Sequence, residues 1–128
     1  MTGKQLRAVA ARLEVVYPCL HPVRVKLTKA LGPHLRDDGE PLGCTWGDTR
    51  VVKTKGQEIL EIRVNVGLDP IARFMVFVHE YAHAMSWRPG HQIDADVFDH
   101  SPEWGLAEAR LWVYFADELN EGQIVRAF

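Results

Sequence analysis

An α+β fold is predicted for this chain by three features of its amino-acid order. An apolar period of three and four runs near the N-terminus, alternating segments fill the middle, and two capped helical patterns occupy the second half. The 128 residues, 47% of them hydrophobic, suffice for one domain with its own core, so residues 1–128 are read as a single unit.

Leu6, Val9, Ala10, Leu13, Val16 and Tyr17 share one helical face, with Lys4, Arg7, Arg12 and Glu14 mostly opposite, which predicts a helix over residues 3–17. Pro18 and Pro22 end it. From Val23 the period becomes two: Val23, Val25 and Leu27 alternate with Arg24, Lys26 and Thr28, as in a half-buried strand. Residues 32–41, rich in Gly, Pro and Asp, read as a loop. Leu42, Cys44 and Trp46 alternate again, Gly47-Asp48 reads as a turn, residues 49–54 as a strand, Lys55-Gly56 as a second turn and residues 58–66 as the last strand. The pattern is that of a meander, giving a small, mostly antiparallel sheet of three or four strands. In the last strand Ile62, Val64 and Val66 alternate with Glu61, Arg63 and Asn65, which predicts one wet face.

Asp69-Pro70 is a strong helix start, since an Asp side chain caps orphan N–H groups and proline fits the first helical position. The helix is expected over residues 70–87, stopped by Arg88-Pro89-Gly90, and apolar residues on nearly every side make it central and buried. A polar connection of 13 residues, 88–100, leads to Ser101-Pro102, a second cap-plus-proline start. The closing helix carries the stripe Trp104, Ala107, Leu111, Tyr114 and Phe115 and is expected to pack along its predecessor.

The net charge is −2, divided as +4 over residues 1–64 and −6 over residues 65–128. Such a mild imbalance gives little reason to expect a nucleic-acid partner; Arg50, Lys53, Lys55 and Arg63 are the residues that would offer a small phosphate-contacting surface. Cys19 and Cys44 are too few for a cysteine metal site, although one bridge between them is open. No apolar run reaches the length of a membrane span and the first residues read as an amphipathic helix rather than a signal peptide, so a cytoplasmic protein is expected.

Chemistry concentrates in His79-Glu80-Tyr81-Ala82-His83, an H-E-x-x-H pattern inside the apolar helix. At ~100° per residue the two histidines lie ~40° apart, one turn above the other, and can grip one ion. Glu80 falls ~60° from His83, beside such an ion without being its ligand, where it can take a proton from water. Two imidazoles and a carboxylate within an apolar helix are costly unless something pairs with them, which favours a metal over plain hydrogen bonding.

A catalytic zinc takes three protein ligands and leaves a position for water. The candidates for the third are His91, Asp94, Asp96, Asp99, His100, Glu103 and Glu108, with His100 before the closing helix and Glu103 or Glu108 within it standing out. The longer spacing H-E-x-x-H-x-x-G-x-x-H is excluded, because Ser86 stands where it needs glycine and Pro89 where it needs histidine.

His79-Glu80-Tyr81-Ala82-His83-Ala84 followed by His100-Ser101-Pro102-Glu103-Trp104 resembles the SprT-like (Spartan-type) metallopeptidases, in which H-E-x-x-H-A precedes a short H-G/S-P-E-F/W motif. The resemblance covers residues 70–115, and the upstream helix and strands agree with that family's helix–sheet–helix build. It implies one zinc per chain held by His79, His83 and His100. Independently, His100 adjoins the Ser101 cap, and a backbone held at a helix start suits a ligand. Glu103 is then either a carboxylate favoured by the helix dipole or an acceptor for a ligating imidazole, and Trp104 a core anchor. The nucleic-acid-binding parts that Spartan-type proteases carry outside the catalytic domain have no counterpart in this sequence.

These readings converge on zinc-dependent hydrolysis of peptide bonds in a protein or peptide substrate, with Glu80 as general base. If the strand ending near Val66 is a sheet edge, an extended substrate can add to it as another strand. His91, Arg88 and Tyr114 are the candidate oxyanion donors. The competing expectation is a non-catalytic binding module whose zinc is structural and recruits a fourth protein ligand such as Asp99.

Overall fold

In a computed structural model of the chain, described for residues 1–89 and 100–120, two helices lie on a mixed three-stranded sheet and a third packs along the second of them. Helix α1 (Gly3–Val16) begins at Thr2, whose hydroxyl accepts from Gln5 N while the Gln5 side chain accepts from Thr2 N, a reciprocal capping pair. Leu6, Ala10 and Leu13, spaced as one helical face, are its buried residues.

Strands β1 (Val23–Thr28), β4 (Gly47–Thr54) and β5 (Gln57–Asn65) form the main sheet in the order β1-β5-β4, while β2 (His34–Leu35) and β3 (Pro41–Gly43) make a separate short hairpin. The β4–β5 pair is antiparallel through the predicted turn, where Lys55 (φ 53°) and Gly56 (φ 78°) adopt the left-handed conformation a two-residue hairpin needs. β1 runs parallel to β5, with Val23 opposite Leu60 and Leu27 opposite Val64, so the sheet is mixed rather than a pure meander. β5 is therefore the central strand, and the expected edge is not at Val66; the edge on the α2 side of the sheet is β4.

Two further boundaries differ from the sequence reading. The segment read as a loop holds β2 and the first residue of β3, a hairpin too short for alternation to register, and the alternation expected through Leu42, Cys44 and Trp46 is strand only as far as Gly43. Gly47-Asp48 is not a turn but the start of β4: Gly47 sits opposite Val64, and Asp48 opposite Arg63, whose guanidinium it binds through both carboxylate oxygens. The glycine serves close packing, because a Cβ there would lie 2.5 Å from Val76 Cγ1 and 3.3 Å from Glu80 Cγ. The sheet thereby approaches the next helix closely at its edge.

Helix α2 (Pro70–Ser86) starts where Asp69 accepts from Ala72 N, and α3 (Pro102–Asn120) starts where Ser101 Oγ accepts from Trp104 N. α1 lies against β1, α2 against β5 and β4, and α3 along α2. Val25, Leu60, Ile62 and Val64 from the sheet meet Phe74, Phe77, Val78 and Tyr81 of α2, with Leu111 and Phe115 of α3 closing the core. Each such side chain contributes about 1.5–3 kcal/mol by leaving water. α2 is not buried all round, however: Ile71 and Met75 are more than half exposed.

The second face of β5, expected to be wet, is covered. Glu61 is only 2% exposed and accepts paired hydrogen bonds from Arg24 on β1 and Arg50 on β4, directly across each strand pairing. Burial alone would raise its carboxyl, but the Arg50 and Arg24 hydrogen bonds outweigh that and hold it below the usual range. Because the folded pKa is the lower one, this stabilisation is present above the unfolded value near 4.5 and is lost as pH falls through the folded value. Glu61→Gln is thus expected to cost about 1–2 kcal/mol at pH 7, the arginines being half exposed. In denaturant unfolding the gap to wild type should shrink as pH drops below 4.5; a gap that stays constant to pH ~2 would assign the cost to shape instead.

Candidate metal centre

His79 and His83 lie one turn apart on α2, and His100 stands immediately before the α3 cap. Their rings converge: His79 Nε2 is 3.3 Å from His83 Nε2 and 3.3 Å from His100 Nε2, and one ring nitrogen from each of the three lies within 4.8 Å of the others. Three imidazoles from two elements 17 residues apart in sequence are thus brought to one point. Burial, and then the neighbouring His79 and His100, push the His83 imidazolium down to about 3, so His83 presents a neutral ring. Three imidazole nitrogens so gathered suit a divalent transition ion.

Trp104 walls this cluster. Its ring stacks on His83 at 5.4 Å between centroids, meets His79 at 4.9 Å and His100 at 4.5 Å, and its Nε1 donates to the His79 carbonyl at 3.2 Å. The sequence reading of a core anchor understates this contact with all three rings.

Glu80 is 7% exposed and bound to the sheet. Its Oε2 accepts from Thr49 Oγ1 at 2.7 Å, and the same hydroxyl lies 3.0 Å from the Glu80 carbonyl. Thr49 points inward from β4, opposite Ile62, two residues beyond Gly47 and on the same face, so the close approach that Gly47 permits is what lets β4 reach Glu80. The carboxylate has one oxygen tied to the strand. It borders a cleft of about 400 Å³ lined by Trp46, Gly47, Met75, Val76, His79, Glu80, Glu108 and Trp112.

Of the two helical candidates for a third ligand, Glu108 lies on the other side of His79, with Oε2 3.8 Å from Nδ1, while His100 occupies the Nε2 side. Glu103 is exposed and lines a separate recess with Met85, Arg88 and Arg110. His91, Asp94, Asp96 and Asp99 fall outside the described residues. Among the oxyanion candidates, Arg88 turns back onto the carbonyls of Met85 and Trp87, and Tyr114 packs on Tyr17 beneath Arg12. Neither lines the cleft. Cys19 and Cys44 are both free thiols. Arg50 and Arg63, half of the candidate phosphate surface, are engaged by Glu61 and Asp48.

Sequence reasoning missed Thr49, and it read Glu108 only as a rival ligand. A signal for Glu108 was present: it interrupts the apolar stripe of Trp104, Leu111 and Phe115 at helical spacing, and an acid on a buried stripe calls for a partner. Together the parts define an α+β domain with a three-histidine cluster and an adjoining carboxylate. Compared with protein-family profiles, with characterised proteins and with solved structures, the chain matches none. No helix among the described residues is long and apolar enough to cross a membrane.

Proposed function

We propose that the domain is a zinc-dependent metallopeptidase of the SprT-like kind, cutting peptide bonds in protein or peptide substrates. One observation carries the reading: three imidazole nitrogens converge beside a buried glutamate that faces an open cleft. His79, His83 and His100 would hold the ion. Zinc bound there would polarise the scissile carbonyl and make water acidic enough to lose a proton near neutral pH. Glu80, held by Thr49, takes the proton of the attacking water and returns it to the leaving amine. Trp104 keeps the three rings in place and shields one side from solvent.

The substrate path follows from the edge strand. Asn65 N donates to Trp46 O, so the ladder bonds fall at Asp48, Arg50, Val52 and Thr54, and the backbone groups of Gly47, Thr49, Val51 and Lys53 point away from β5. An extended peptide can pair with that outward row where it is exposed, at Val51 and Lys53, Thr49 itself being buried, and bind through its main chain with little regard to sequence. Trp46 (64% exposed), Met75 (54% exposed), Val76 and Trp112 then offer apolar surface to one substrate side chain beside Glu80.

The test is cleavage of a peptide library and of a denatured protein, with the cut sites mapped by mass spectrometry. The zinc-loaded protein is expected to cut, to stop under chelation and to resume on zinc addition, with large apolar residues enriched beside the cut bond. Met75→Lys should reduce cleavage at those sites roughly tenfold. A protein that binds one zinc through four of its own side chains and cuts nothing is instead a binding module with a structural ion.

A further inference from the structure

We propose that Glu108 is the positioning residue for His79, fixing which of its ring nitrogens is offered to a metal. His79 Nε2 faces both His83 Nε2 and His100 Nε2 at 3.3 Å, so the lone pair must sit on Nε2 for an ion to be bound there, and the ring proton on Nδ1. An unconstrained imidazole populates both tautomers. On the Nδ1 side stands Glu108 Oε2, 3.8 Å away, near enough for a small ring rotation to close a hydrogen bond.

Two further observations single this oxygen out. Glu108 Oε2 is the buried side-chain oxygen or nitrogen that lacks a hydrogen-bond partner among the described residues, and an unmatched buried carboxylate oxygen is costly unless a donor arrives. The other oxygen, Oε1, accepts from Trp112 Nε1 at 3.3 Å, one helical turn on, which fixes the direction in which Oε2 points. α3 therefore grips His79 at both ends: Trp104 Nε1 holds its carbonyl and Glu108 meets its ring, four residues apart on one helical face. A carboxylate behind a ligating imidazole selects the tautomer, orients the ring and makes Nε2 a stronger donor.

The inference rests on the three-histidine metal reading, and the experiment separates the two. Zinc affinity of the whole chain is measured by competition with a chromophoric chelator, for wild type, Glu108→Gln and Glu108→Leu, alongside the thermal stability of each protein kept free of metal. Cobalt absorption reports the geometry at the ion independently of any catalysis. Glu108→Leu is expected to fold without metal and to lose roughly 10–100-fold in zinc affinity, with an altered cobalt spectrum. Glu108→Gln, which keeps an acceptor oxygen, should recover part of that loss. Wild-type zinc binding with Glu108→Leu within about twofold of it overturns the role of Glu108 alone. So does an affinity loss matched by unfolding of the metal-free variant, or a Gln variant as impaired as Leu. A wild-type chain that binds no zinc overturns both readings.

Discussion

Glu80→Gln is expected to leave the fold and the bound zinc in place and to lower peptide hydrolysis by about 10²–10⁴-fold, the range a positioned general base supplies. Gln has nearly the shape of Glu, so it fits the same buried space between α2 and β4. Its side-chain oxygen can still accept from Thr49 Oγ1, which lies 2.7 Å from the native carboxylate. What it cannot do is take a proton from water and return it to an amine. Turnover on a fluorogenic peptide, with zinc content measured on the same samples, checks the prediction. Hydrolysis at the wild-type rate by the zinc-loaded variant would remove Glu80 from the reaction.

The second large effect is on the ion itself. His79→Ala, His83→Ala and the double variant are each expected to fall from one zinc per chain to well below that in metal analysis of the purified protein, since two imidazoles hold zinc far less tightly than three. His83→Ala should show a further cost. Its ring is buried and stacked on Trp104, so its removal leaves a gap beneath the indole and weakens the α2–α3 contact even without metal. His79, more exposed, should affect the metal-free fold less. Stoichiometric zinc in the double variant would mean that the ion is held elsewhere.

Much of this architecture was legible because its signals are local. The Asp69-Pro70 cap and the three-and-four spacing of α1 specify helices from a few neighbouring residues, and their observed limits lie within one residue of the expected ones. His100 was legible for a similar reason, its place being tied to the Ser101 cap that the structure retains. Pairing partners were not legible. Alternation in β1 and β5 tells which side chains share a face, but nothing in it says that the two strands lie parallel and adjacent with β5 in the centre. Gly47-Asp48 misled because a Gly-Asp pair is good turn chemistry, whereas the glycine answers to Val76 and Glu80, some 30 residues downstream. Thr49 escaped notice likewise, and Glu108 was weighed only as a ligand, since the contact each makes is with a tertiary neighbour.

Thr49 joins two systems: its backbone lies on the outward row of β4 and its hydroxyl holds Glu80. Under strand addition, a bound peptide and the proposed base are indexed to the same strand, so β4 acts as a ruler. A peptide can slide along it only in steps, and a one-residue slip turns every side chain to the opposite face. The bond presented to Glu80 is then chosen by counting from whichever residue finds the apolar cleft, and main-chain pairing elsewhere reads no sequence. Cut sites should consequently keep one fixed offset from that residue, even between substrates with nothing else in common.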